Sequence, residues 1–105
     1  GAKRLWSFVN KYGSHILSAY STKDSNCVPG KMKWLRKNLN LTQRSRIHLV
    51  RRSQKQDFAM TNNKPNVLID DHLKNIKEWE SKGGTGIHHL SVSSSLNELK
   101  KLGYK

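Results

Sequence analysis

The chain has 105 residues, with 20 Lys and Arg against 7 Asp and Glu and a formal net charge of +13. The length fits one small domain, here expected as a single domain over 1–105, and the charge makes polyanions the expected partners: nucleic acid, a nucleotide or an acidic protein. A single cysteine, Cys27, excludes an internal disulfide framework and a multi-cysteine zinc site, and no apolar run reaches the ~18–20 residues that span a bilayer.

The chain alternates between helical and extended patterns. Leu5, Trp6, Phe8 and Val9 predict a helix that stops at Gly13. His15–Ala19 is a short apolar run, expected as a buried strand, with Ser18 near its end. Residues 20–30 are polar and turn-rich, which predicts a loop containing Cys27. From Lys31 to Leu39, Met32, Leu35 and Leu39 recur at helical spacing. Arg46–Val50 predicts a second strand, and 53–60 one or two helical turns with Ser53 as N-cap. Asn62–Pro65 reads as a turn. Asn66–Asp71 predicts a strand that ends in two acids. Residues 72–82 predict a helix stopped by Gly83-Gly84, Gly86–Leu90 a fourth strand, and Leu96, Leu99 and Leu102 a last helix ended by Gly103.

Strands without clean alternation, separated by helices, indicate a parallel α/β sheet flanked by helices. Ligands in such sheets gather at the carboxyl ends of the strands, which here carry Ser18, Arg51/Arg52 and Asp70/Asp71. Adjacent carboxylates repel unless a cation or hydrogen bonds compensate. Asp70-Asp71 therefore reads either as a pair of oxygen ligands for Mg²⁺ or as the cap of the helix that begins near His72. Lys55 reads as a surface lysine or as a phosphate contact. Arg51 and Arg52 stand where a phosphate or other polyanion is expected. The five histidines lack zinc-site spacing, and structural roles are expected for them. Charge is unevenly distributed: residues 1–55 hold 13 Lys or Arg and one acid, Asp24.

Taken in order, four stretches resemble the second half of a haloacid dehalogenase superfamily phosphohydrolase, and most closely its 5′(3′)-deoxyribonucleotidase-like group of phages and bacteria. They are His15–Ser21 (HILSAYS), Gly30–Leu39 (GKMKWLRKNL), Ile47–Ala59 (IHLVRRSQKQDFA) and Asn66–His89 (NVLIDDHLKNIKEWESKGGTGIHH). The resemblance implies a Rossmann-like parallel sheet. It implies that Ser18 hydrogen-bonds a transferring phosphoryl group, that Lys55 offsets phosphate charge, and that Asp70, with Asp71 beside it, holds Mg²⁺. Phosphoryl transfer is catalysed mainly by positioning and fixed positive charge, which suits these residues.

The chain departs from the family at its first motif. That motif is a strand followed by Asp-x-Asp, whose first Asp is the nucleophile, and no Asp-x-Asp occurs in this sequence. The family's first strand lies in mid-sheet, so its absence implies a partial sheet with two interior edges that need partners. The expected protein is a catalytically incomplete phosphohydrolase-type module that needs a complementary N-terminal fragment or a homodimer. The alternative is a degenerate basic module that binds nucleic acid or a protein assembly without catalysis. Either is expected to be cytoplasmic, in a bacterium or a phage-infected host.

Overall fold

Short apolar runs become strands and amphipathic stretches become helices along the whole chain, an α/β arrangement. The computed structural model describes residues 2–105, which divide into two units, 2–52 and 53–105. Among the described residues, no helix is long and apolar enough to cross a membrane.

The first unit runs α1 (Ala2–Asn10), β1 (Ile16–Ala19), α2 (Cys27–Leu39) and β2 (Ile47–Val50). β1 and β2 are parallel, with Ile16 opposite Ile47 and Ala19 opposite Val50. Trp6, Leu35 and Leu41 form the core, with Val9, Ile16, Leu39 and Ile47 packed against them. The Arg46 guanidinium lies 5.3 Å from the centre of the Trp6 ring and donates to the Ser14 carbonyl. It thereby ties the entry of β2 to the turn before β1.

The loop expected over 20–30 is shorter than its composition suggests, because α2 begins at Cys27. Pro29 lies in the first turn of α2, where the missing N–H costs nothing. Asn40 closes the helix in the left-handed region (φ 52°), a conformation that asparagine tolerates better than most residues.

In the second unit a 3₁₀ helix over Arg52–Phe58 leads into a hairpin of β3 (Met60–Thr61) and β4 (Lys64–Pro65). The expected helical turns are present, but Ser53 lies inside the 3₁₀ helix and does not cap it. Asn62 and Asn63 form the tip, both at positive φ (52° and 64°). Two such residues in succession give the turn whose twist matches an antiparallel pair, so Lys64-Pro65 is a strand and not part of the turn.

β5 (Val67–Asp70), α3 (Leu73–Ser81) and β6 (Thr85–His88) follow as a strand–helix–strand unit, and β5 and β6 are parallel. α3 packs on both strands and buries Asn75, Ile76 and Trp79. The Trp79 indole N–H donates to the Asn66 carbonyl (2.9 Å). α4 (Val92–Lys101) begins with a capping box between Ser91 and Ser94. The fourth strand ends at His88, so His89 and Leu90 lie beyond it.

Among the described residues each strand therefore has one ladder partner. All residues of β1 and β2 are only half-buried, and β5 and β6 each bury one residue, Leu68 and Ile87. Parallel strands are ordinarily covered on both faces.

Candidate phosphate and cation site

The sharpest chemistry lies at the carboxyl end of β5. Asp70 closes that strand, and its carbonyl accepts from the His89 N–H (2.8 Å) as the chain leaves β6. Asp70 Oδ1 accepts from the His72 N–H (2.9 Å). Oδ2 accepts from Lys55 Nζ (2.9 Å) and from Asn75 Nδ2 (3.1 Å). The Lys55 and Asp70 side chains are 12% and 8% exposed. Burial alone would raise the Asp70 carboxyl. The His72 N–H, the Lys55 ammonium and the Asn75 amide outweigh it and hold the pKa below the ordinary aspartate value.

The N-cap residue of α3 is His72, not one of the two acids. Asp70 braces the entry to α3 through the His72 N–H, although its bond falls on the residue before the helix. Asp71 is exposed, and its carbonyl faces His88 Nε2 (3.0 Å). A carbonyl only accepts, so His88 carries its proton on Nε2 in this contact.

A carboxylate offers about four lone-pair positions, and donors fill three on Asp70. What remains is one position on Oδ1 and the exposed Asp71 carboxylate. This donor set suits a largely hydrated Mg²⁺, which takes one or two carboxylates and keeps several waters. Among the described residues no group of three or more His, Cys, Asp or Glu converges as a metal cage.

The remaining expected residues lie at the carboxyl ends of the other parallel pair. Ser18 is half-buried near the end of β1, and its Oγ accepts from Lys31 Nζ of α2 (2.8 Å). Arg51 directly follows β2, where the ladder is carried one step further by the Tyr20 N–H donating to the Val50 carbonyl (3.0 Å). Arg52 opens the 3₁₀ helix.

The structure thus joins Lys55 to Asp70 within one unit, and Ser18 to Lys31 within the other. Sequence reasoning missed Lys31 and Asn75 as polar partners. Asn75 had a signal: a polar residue on the apolar face of a predicted helix, five residues after Asp70. Lys31 had none, because a lysine near a helix start carries no mark of where its head goes.

A second polar pair was also missed. His15 Nδ1 and His48 Nε2 lie 2.8 Å apart, with ring centroids separated by 5.1 Å and planes 3° from parallel. These values place the rings edge to edge in one plane, joined by a single N–H···N bond. Burial, and then the charge on His15, lower the His48 pKa. Cys27 is half-buried at the start of α2, and its Sγ accepts from the Ser21 N–H (3.4 Å).

Comparison with protein-family models, curated proteins and solved structures returned no match.

Proposed function

We propose that this chain is the phosphate-binding portion of a haloacid-dehalogenase-type phosphohydrolase, catalytically incomplete until a strand carrying Asp-x-Asp joins it. The observation that carries the reading is the Lys55–Asp70 pair at the carboxyl end of a parallel strand, with Asp71 next to it. A lysine and an aspartate so placed offset each other until a phosphate arrives. In the unit 2–52 Ser18 would donate its hydroxyl proton to a phosphoryl oxygen. In the unit 53–105 Lys55 supplies fixed positive charge, and Asn75 and the His72 N–H keep Asp70 oriented and ionised. Asp70 and Asp71 would hold Mg²⁺, which supplies charge stabilisation at the phosphoryl oxygens. Arg51 and Arg52 add positive charge at the end of β2.

The half-covered parallel pairs support the need for a partner. A Rossmann-like sheet of the family's type would gain its middle strand from a complementary N-terminal segment, or cover its edges in a homodimer. A cytoplasmic setting, in a bacterium or a phage-infected cell, accompanies this reading.

The test is phosphatase activity with Mg²⁺ on deoxynucleoside monophosphates and on an aryl phosphate. The chain by itself is expected to show no turnover, since nothing in it forms a phospho-aspartyl intermediate. Adding a peptide with a strand and Asp-x-Asp is expected to create activity. Turnover by the chain alone that disappears in Asp70→Asn would overturn the incomplete-site reading.

A second reading has its own support. α2 exposes Trp34 (48%) beside the exposed Lys33 and Lys37. Exposed aromatic and basic groups together are the chemistry that binds single-stranded nucleic acid.

A further inference from the structure

Two lysines approach the carboxyl ends of the parallel strands, and their partners differ. Lys55 closes onto a carboxylate, with the pair almost fully buried. Lys31 donates to a neutral hydroxyl, Ser18 Oγ, at 2.8 Å. The ion pair discharges Lys55 locally. The hydroxyl leaves the charge of Lys31 undiminished while it fixes where the ammonium sits.

The surroundings reinforce that difference. The unit 2–52 holds 12 Lys and Arg against one acid, Asp24. The Asp24 carboxylate accepts from the Asn26 N–H (2.9 Å) in its own loop. Lys31 reaches Ser18 from the fifth position of α2, and both side chains are half-buried. An ammonium and a hydroxyl held this close present several N–H and O–H donors to one small anion, and bonds to an ionised acceptor are about twice as strong as neutral ones.

We propose that Ser18 and Lys31 form the primary oxyanion site of the chain and bind a phosphate group through the Lys31 ammonium and the Ser18 hydroxyl. The site takes a phosphate dianion, free or as the terminal group of a nucleotide. It deepens the function proposed above and rests on it for the role of Ser18. It assigns the first capture of phosphate to Lys31, and leaves Lys55 paired to Asp70 until the missing strand is in place.

The experiment uses the full chain and inorganic phosphate at constant ionic strength, followed by calorimetry and by the NMR signals of the lysine ammonium groups. Lys31→Gln is expected to weaken phosphate binding about tenfold or more, the worth of a charge-assisted bond. Ser18→Ala should weaken it less, about threefold, since a neutral donor is lost. Arg36→Gln, a control cation on the same helix, should stay within about twofold of wild type. In the unsubstituted protein the Lys31 Nζ signal should shift on phosphate addition, a readout that requires no variant to fold.

Equal losses in Lys31→Gln and Arg36→Gln would overturn the site, because total charge would then be the only cause. A loss in Lys55→Met with none in Lys31→Gln, and an unmoved Lys31 signal, would overturn it while leaving the phosphohydrolase reading standing. Absence of phosphate binding by the unsubstituted chain would overturn both.

Discussion

Asp70 depends on Lys55 for one of its three side-chain bonds, so the pair has a definite titration. The Asp70 pKa is depressed in the folded state, so its contribution to stability is present above the unfolded pKa of about 3.9. It is lost as pH falls through the folded value. Lys55→Met removes the ammonium and leaves the carboxylate with the His72 and Asn75 donors. The expected outcome is a loss of about 1–3 kcal/mol in urea unfolding at pH 7, with the Asp70 pKa moved upward in a carboxyl NMR titration. An unchanged Asp70 titration would mean that the pair is not formed in solution. The His15–His48 bond titrates in a different window. The folded state keeps His48 neutral more readily than the unfolded chain does. As pH falls below the unfolded value of about 6.5, the unfolded state therefore gains protons first and stability declines. Thermal midpoints should drop between about pH 7 and pH 5, and His48→Gln should flatten that drop.

At the scale of elements, the strand–helix–strand unit is closely packed around Gly84 and Gly86. A Cβ added at Gly84 would overlap the Trp79 indole, and one at Gly86 would stand 2.6 Å from Ile76 Cγ2. Gly84→Ala must push the buried Trp79 ring away from the Asn66 carbonyl it serves, which predicts a loss of about 1–3 kcal/mol. A denaturant melt checks this; a change under half a kilocalorie would mean that the ring has room to move. The sequence showed the stop after residues 72–82, because paired glycines end helices, but it gave no sign that Gly84 and Gly86 also make room for Trp79 and Ile76. That requirement belongs to packing between α3 and β6, which periodicity does not describe. The alternation of strands and helices was legible, since apolar runs of four or five residues fall between amphipathic ones. The boundaries that moved have local causes. Cys27-Val28-Pro29-Gly30 looks like a loop by composition, yet proline and glycine are tolerated in a first helical turn. Asn62-Asn63 needed only two residues for its turn, which released Lys64-Pro65 into a strand. In the site, Asp70 is legible from its place at the end of an apolar strand and Lys55 from the resemblance alone, whereas the Ser18–Lys31 bond depends on how α2 lies beside β1.

At the scale of the molecule, the excess charge is concentrated in one unit. The unit 2–52 carries 12 of the 20 Lys and Arg and a single acid, while 53–105 carries 8 against six acids. If the net charge acted as a diffuse field, reversing any two exposed lysines would weaken polyanion binding equally. If a surface on 2–52 makes the contacts, position must matter. Lys33 and Lys37 flank the exposed Trp34 on α2, and Lys74 and Lys77 occupy the exposed side of α3. Lys33→Glu with Lys37→Glu should therefore reduce affinity for a short single-stranded oligonucleotide much more than Lys74→Glu with Lys77→Glu, although both pairs change the net charge alike. The salt slope of binding should become shallower only in the α2 pair, since each lost phosphate contact removes about 0.7 from it on single strands. Trp34 fluorescence should be quenched on binding if a base stacks on the indole. Equal effects of the two pairs, with Trp34 emission unchanged, would reduce the charge to a general field and remove the nucleic-acid surface. The phosphate site proposed at Ser18 and Lys31 would stand apart from that result, because it depends on a fixed ammonium–hydroxyl pair and not on the exposed face of α2.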